Sequence, residues 1–255
     1  LLSLPYPQAL HAARFLSRPN RFLLLCELLE AADESGTVVE VHLPDPGRLK
    51  ELLLPGASIW LLPVDKPGRR TQWSAALVAT PDGKQMVSLD STLPNRLVEL
   101  ALQKQEIAEL ADWSFVSREY TMGDSRWDFL LAHPDGRKLA LEVKSVTLAE
   151  KGIGLFPDAV TARGTKHVQE LSQIAQQDGW EAALLFVIQR SDVNEVRPAS
   201  HIDPVFAATL AKAKASGVHI FAHRCSIHLD AIHLEGSVPV VIEGGEENCT
   251  HGDQD

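Results

Sequence analysis

Four turn-forming clusters, Asp33-Glu34-Ser35-Gly36, Pro55-Gly56, Lys66-Pro67-Gly68 and Pro81-Asp82-Gly83, cut the first third of the chain into runs too short for self-supporting helices. The runs they separate, Arg21 to Glu30, Thr37 to Leu43, Ser58 to Val64, Gln72 to Thr80 and Gln85 to Leu89, read as five strands. Five short strands leave exposed sheet edges unless the sheet closes on itself, so a small barrel of the OB type is expected. At Leu93 the texture changes. From Pro94 through Leu110 the apolar positions Leu97, Leu100, Ala101, Ile107 and Ala108 follow helical spacing.

Three strands are expected next, at Trp113 to Thr121, Arg126 to His133 and Lys138 to Thr147, the last two joined through His133-Pro134-Asp135-Gly136-Arg137. A helix over Val160 to Gln177 and a strand over Ala182 to Gln189 follow. Asp203 and Pro204 fit the cap and first position of another helix, which Gly217 ends. Strands at Val218 to His223 and Ile227 to Leu234 complete a mixed α/β sheet with helices on its faces. The spacing thus predicts an OB-like barrel over residues 1–90, an α/β unit over 91–242 and an acidic, disordered tail over 243–255.

Charge bears on the choice of partner. The chain carries a formal net charge of −10, and half of it lies in the tail, in Glu243, Glu246, Glu247, Asp253 and Asp255. A protein that coats nucleic acid indiscriminately would instead cluster Lys and Arg. Cys26, Cys225 and Cys249 show neither paired spacing nor a zinc pattern, which suits a reducing cytoplasm. With no apolar run of membrane-spanning length and no signal-peptide pattern, no membrane association is expected. A homo-oligomer is left open.

The strongest chemical pattern is Asp128 in Arg126-Trp127-Asp128-Phe129, followed across the expected hairpin by Glu142-Val143-Lys144. Residues two apart on a strand share a face, so Glu142 and Lys144 emerge together while Val143 points the other way. Asp128 on the antiparallel neighbour can meet them. Two converging carboxylates repel unless a cation sits between them, and oxygen ligands with open positions suit Mg2+, with Mn2+ as a substitute. Asp128 and Glu142 would hold the ion, Glu119 could add a third carboxylate, and Lys144 would stabilise charge on a phosphate. The alternative is a structural salt bridge, because the motif sits in the apolar run Leu139-Ala140-Leu141 and buried charges need partners.

Basic residues gather near one expected helix start: Arg163 and Lys166 fall on its outer face, with His167 at the border. That location favours anions, so a phosphate bridging them is one account, and a solvated face paired to Glu170 is the other. Arg21 and Arg48 lie in barrel loops, and Arg96 opens the junction helix. Trp60 and Trp73 either stack on bases or pack the barrel.

Taken in order, Leu43-Pro44-Asp45-Pro46-Gly47-Arg48, Asn95-Arg96-Leu97, Arg126-Trp127-Asp128-Phe129, Glu142-Val143-Lys144-Ser145-Val146-Thr147-Leu148, the block Phe156 to His167 and His201-Ile202-Asp203 resemble the SfsA (sugar fermentation stimulation protein A) family. The resemblance runs from about Arg14 to Ile242. It implies an OB-like N-terminal domain, a C-terminal domain of the PD-(D/E)xK restriction-endonuclease-like type, DNA as partner, and a regulatory link to sugar utilisation of the maltose type. The nuclease pattern falls on Asp128, Glu142 and Lys144 as catalytic residues, and DNA contacts on Arg21, Arg48, Arg96, Arg163, Lys166 and His167. Where family members often carry Asn-Thr-Gly, this chain has Asp45-Pro46-Gly47, whose carboxylate would repel phosphate. Three functions follow: a Mg2+-dependent nuclease, a DNA-binding regulator that does not cleave, and an interaction protein unrelated to nucleic acid.

Overall fold

The computed structural model describes residues 2–29 and 36–242; the acidic segment 243–255 lies outside them. The chain begins with β1 (Leu2–Pro5) and then builds a closed ring from β2 (His11–Asn20), β3 (Leu23–Leu28), β4 (Val38–His42), β5 (Ser58–Pro63) and β6 (Trp73–Ala79). In that ring β3 lies between β4 and β2, β2 pairs with β5, and β5 pairs with β6. Closure comes from a short parallel contact of β4 with β6, Val41 opposite Trp73 and His42 opposite Ser74. This is an OB-type barrel, filled by inward residues such as Phe15, Leu24, Cys26, Val41, Ile59 and Leu61.

The five ring strands differ from the five expected. β7 (Met86–Ser88) adds to β6 outside the ring, and β2 was not anticipated. Arg14 keeps the alternation, exposed between buried Ala13 and Phe15, but the register against β3 shifts twice beyond Phe15, so the period of two does not carry through the strand. β1 also lies outside the barrel. It pairs antiparallel with the last strand of the large sheet, Leu2 opposite Leu234, a contribution not included in a barrel unit over residues 1–90.

The second unit opens with α1 (Leu93–Gln103), which stops before the expected Leu110 because Gln105 takes a left-handed φ of +56°. A 3-10 turn at Ala108–Leu110 follows. Then come β8 (Ser114–Met122), β9 (Ser125–Ala132), β10 (Lys138–Val146), β11 (Ala149–Glu150), β12 (Ile153–Phe156), α2 (Ala162–Ile174), β13 (Trp180–Ile188), β14 (Glu195–Pro198), α3 (Pro204–Ala215), β15 (His219–Ile227) and β16 (Ala231–Val238). The large sheet has the order β1-β16-β15-β13-β10-β9-β8, with β10 and β13 parallel and central. As expected, Asp203 caps α3, its Oδ1 accepting the Phe206 N–H at 2.9 Å.

Side chains alternate across β10. Leu139, Leu141 and Val143 pack with Leu97 and Ala101 of α1 on one face, and Ala140 and Val146 pack with Val168 and Leu171 of α2 and Phe206 of α3 on the other. The fold is thus an OB-like barrel followed by a restriction-endonuclease-like α/β sheet. No helix among the described residues is long and apolar enough to cross a membrane.

Barrel and sheet meet at the loop after β4. Arg18 donates to the carbonyls of Arg21, Gly47 and Arg48 at 2.8 to 2.9 Å, and Asp45 Oδ1 accepts the Gly47 N–H at 2.7 Å. From the sheet side, Asp158 Oδ2 accepts the Arg48 N–H at 2.9 Å. A Cβ on Gly47 would stand 2.8 Å from both Asp158 Oδ2 and Asp45 Oδ1, closer than atoms in contact allow. Gly47→Ala is therefore expected to lower stability by about 1 to 2 kcal/mol, and Asp158→Asn, which keeps an acceptor, by less. Thermal melts of the two variants check the ranking; equal melting temperatures for Gly47→Ala and wild type would show that the loop is not held there.

Candidate functional site

Position 142 lies in β10, an interior strand of the sheet, in a run whose neighbours Leu141 and Val143 are buried, and Glu142 is itself only 4% exposed. A carboxylate so placed must be paired. Its Oε1 takes two partners: the Lys144 ammonium, two residues along the same face, and His167 Nδ1 at 2.7 Å, brought by α2. Its Oε2 has no protein partner among the described residues. Burial by itself would raise this acid, but the His167 hydrogen bond and the Lys144 charge bring it below the ordinary glutamate value.

Asp128 arrives from β9. The β9–β10 ladder runs to Phe129 opposite Leu141 and stops. One step further, Asp128 Oδ2 accepts the Val143 N–H at 2.7 Å, so a side chain replaces the missing backbone partner. Its Oδ1 accepts from Asn95 Nδ2 of α1 at 2.6 Å. Burial, and then the repulsion of Glu142, push the Asp128 carboxyl up to about 6, against the two hydrogen bonds and Lys144. The two acids thus differ: Glu142 is held ionised by the Lys144 ammonium and the His167 hydrogen bond, whereas the Asp128 carboxyl is pushed up to about 6.

Glu142 takes one partner that strand spacing does not show: besides Lys144, His167 of α2 meets it. His167 is not an outward DNA contact. It lies four residues before Leu171 on the inner stripe of α2, is buried, and meets Trp127 edge-on at 5.5 Å between ring centroids. Glu119 is also displaced. It takes a left-handed φ of +54° and pairs in solvent with Arg126 at 3.7 Å, away from Asp128 and Glu142. No group of three or more His, Cys, Asp or Glu side chains among the described residues could hold a metal. Two carboxylates are what this chain brings together.

Lys144, the partner of Glu142, lies on the wall of a cleft of about 640 Å³ between barrel and sheet. Arg21, Arg48 and Arg163 line it too, so three of the six expected nucleic-acid residues converge on one space with the motif lysine. Asp45 and Asp158 share the lining, but Asp158 is engaged by the Arg48 N–H. Burial, ahead of its other neighbours, raises Asp45 above the ordinary aspartate value. Lys166 instead pairs with Glu170 at 3.6 Å, the solvated-face arrangement, and Arg96 pairs with Asp90 at 2.8 Å outside this cleft.

Asn95 escaped sequence reasoning because Asn-Arg-Leu is uninformative without the fold; its place among the family-like segments was the available signal. Gln189 was missed as well. It is fully buried at the end of β13, its Nε2 donates to Ser145 Oγ at 2.7 Å beside Lys144, and its Oε1 has no partner among the described residues. Trp127 Nε1 is unpaired in the same sense.

The family comparisons agree with this architecture. The "SfsA N-terminal OB domain" matches residues 16–89 and the "Sugar fermentation stimulation protein RE domain" matches residues 92–231. The sugar fermentation stimulation protein homolog of Shouchella clausii is 46% identical over 229 residues, covering 90% of this chain and 96% of its own. That of Shewanella sp. (strain MR-4) is 42% identical over 237 residues, with 92% and 98% covered. The structure of Pyrococcus furiosus SfsA in complex with Ca2+ superposes with a TM-score of 0.81 at 28% identity, covering 94% of this chain and 98% of that one. A barrel and a sheet matched across both halves, with relatives at this identity over nearly their full length, leave one assignment: the chain belongs to the sugar fermentation stimulation protein (SfsA) family.

Proposed function

We propose that this chain is a DNA-binding phosphodiesterase in which Asp128, Glu142 and Lys144 work with a divalent cation, magnesium or manganese. The observation that carries the reading is the Asp128 carboxyl, half-buried and raised in part by the buried Glu142 carboxylate, whose partner Lys144 lines a cleft together with three arginines. An amide at position 128 would remove the repulsion and keep the acceptor for the Val143 N–H, with the Asn95 amide turned to accept from it, whereas a pair of acids suits a cation that arrives with phosphate. The donor set fits: Glu142 Oε2 is unengaged, and Mg2+ commonly uses one or two carboxylates while keeping water and phosphate oxygens. The Pyrococcus furiosus relative forms a complex with Ca2+, a hard cation with the same taste for oxygen.

When bound, the cation would supply a Lewis acid toward the phosphate. The chain's own residues do the rest. Asn95 and the Val143 N–H fix the Asp128 carboxylate, and His167 fixes Glu142, so Asn95 and His167 are positioning residues. Lys144, on the cleft wall, offers an N–H to the charge that develops on the phosphate. Arg21, Arg48 and Arg163 bind flanking phosphates. DNA binding is also our route from this chain to sugar utilisation, and the buried, free Cys26 and Cys225 support a cytoplasmic setting.

A second reading has its own observation: Glu142 already has Lys144 and His167, as a structural ion pair would. Metal-dependent melts separate the two. In the phosphodiesterase, Mg2+ or Mn2+ at about a hundred times its dissociation constant stabilises the wild type by about 2.7 kcal/mol. Glu142→Gln loses that gain. Lys144→Ala keeps it but loses cleavage in assays over single-stranded, duplex and branched DNA. A wild type indifferent to both cations, with Glu142→Gln melting early, would leave a regulator on a nuclease-like frame.

The Asp128 carboxyl gives an independent test in the absence of metal. Its folded pKa is raised, so its contribution to stability is present below the ordinary aspartate value and is lost as pH rises through about 6. The loss is about 3 kcal/mol, each pKa unit being worth about 1.4. Asp128→Asn is expected to remove that slope and to be more stable than wild type at neutral pH in EDTA, while losing the metal-dependent gain. Urea titrations at about pH 5 and about pH 7.5 measure it; a variant less stable than wild type at both would assign Asp128 a purely structural role.

A further inference from the structure

Gln189 stands at the end of β13, where the sheet meets the barrel, and its backbone is held from both sides. Its N–H donates to the Val146 carbonyl of β10 at 2.9 Å, and its carbonyl accepts the Ser88 N–H of β7 at 3.1 Å. Two residues on, the Ser191 hydroxyl donates to the Gln85 side chain of the barrel. The amide carried by this frame is fully buried. Among the described residues it makes one hydrogen bond, from Nε2 to Ser145 Oγ at 2.7 Å, and its Oε1 is unpaired. A buried amide with half its capacity unused costs stability that an apolar side chain of the same length would not. What it does achieve is to fix the Ser145 oxygen.

That one bond decides what Ser145 can offer. A serine hydroxyl has one proton and two lone pairs. With a lone pair taken by Gln189 Nε2, the proton is left for another acceptor, and no acceptor for it stands among the described residues. Ser145 is half-buried and lines the cleft of about 640 Å³ together with Lys144, Arg21, Arg48 and Arg163. Two other hydroxyls of that lining are already in use: the Ser91 proton goes to the Pro44 carbonyl at 2.9 Å, and Thr161 Oγ1 caps α2. The carboxylates of Asp45 and Asp158 accept from the Gly47 and Arg48 N–H groups, not from Ser145. At consecutive positions β10 therefore presents an ammonium and a neutral O–H donor whose oxygen is anchored.

We propose that Ser145 donates its O–H to a non-bridging phosphate oxygen of the substrate, and that Gln189 is the positioning residue that aims it. The ligand class is a phosphate ester. A neutral donor beside an ammonium and three guanidinium groups suits an anionic oxygen that those cations draw in. Anchoring by a buried amide removes the hydroxyl's freedom to turn among its staggered positions, which is the contribution of a supporting partner to a binding group. It also fastens the site to the barrel, because the same residue takes the Ser88 N–H. This inference rests on the reading of the cleft as a phosphate site and deepens it; it needs neither the cation nor hydrolysis.

The test is calorimetric titration of the full chain, at low salt in EDTA, with thymidine carrying a phosphate on each sugar hydroxyl. No metal contributes and nothing is cleaved. Ser145→Ala is expected to weaken binding about tenfold, the loss of one hydrogen bond to a charged group, and Ser145→Thr, which keeps the hydroxyl, to restore it. Gln189→Met, of similar length without a polar donor, weakens binding about threefold, since the hydroxyl then samples three staggered positions in place of one. In the Ser145→Ala background the same substitution costs nothing further, because its effect passes through the hydroxyl. Bisphosphate bound equally by Ser145→Ala and wild type, or a Gln189→Met loss of the same size in both backgrounds, overturns the proposal alone. A wild type that binds none overturns it together with the phosphate reading of the cleft. Failure of the metal chemistry is told apart by melts that ignore Mg2+ and Mn2+ and by DNA that stays intact, and it leaves these titrations unchanged.

Discussion

A carboxylate buried at the centre of a sheet is the constraint around which the second half of this molecule is organised. Glu142 cannot sit on β10 uncompensated, since an ion removed from water costs several kcal/mol even after relaxation. Its compensation comes from two directions. Lys144 follows from strand geometry alone, but His167 requires α2 to lie against the sheet with one particular face inward. Gly164 on the same helix is buried with Thr161 against it, and Thr161 Oγ1 accepts the Gly164 N–H at 3.1 Å as the helix cap. The Thr161 N–H in turn goes to Asp203 Oδ2 at 2.8 Å, the same carboxylate group that caps α3. One buried charge is thereby linked, through α2, to the placement of both helices on that face.

What was legible in the sequence follows from whether the information was local. The hairpin from Arg126 to Val146 and the α3 cap could be read because a turn cluster or a cap-and-proline pair states its geometry within a few residues. The face shared by Glu142 and Lys144 is equally local, being a property of period two. The partners of Glu142 and Asp128 were harder. His167 sits at a boundary angle of its helix, and only contact with Trp127 and Glu142 decides that it turns inward. Asn95 reaches Asp128 across 33 residues, a relation that no periodicity encodes. Glu119 was read as a neighbour because alternation was assumed to continue, and its left-handed backbone breaks that alternation.

The same logic explains the barrel. Its closing contact pairs two residues of β4 with two of β6, and such a short parallel bridge leaves no composition signal. β2 was hidden because it bends: its register against β3 shifts twice, which lets it serve two neighbours at once, β3 on one edge and β5 on the other. Arg18 is spent on three backbone carbonyls and holds the Gly47–Arg48 turn, whose Arg48 N–H goes to Asp158. Basic residues in a sequence are thus not equivalent. Those consumed by backbone acceptors build the cleft, and those left over, Arg21, Arg48 and Arg163, face into it.

The electrostatics of Asp128 show why the acid pair is better explained by a ligand than by the fold. A structural ion pair is balanced when each carboxylate meets a cation, and here the partners are unevenly shared: Glu142 takes the Lys144 ammonium and a His167 ring nitrogen, while Asp128 is left with neutral donors, an amide and a backbone N–H. The unevenness is what drives Asp128 upward once burial is added. Selection for stability alone would relieve it with a single change to Asn, which keeps the shape and removes the charge. Stored electrostatic repulsion of this kind is relieved when Asp128 takes up a proton or when positive charge is placed between the two acids. Lys144, on the cleft wall, is already committed to the glutamate side. Under the proposed function that charge would be a cation entering from the cleft, with the arginines along it drawing in the phosphate it neutralises.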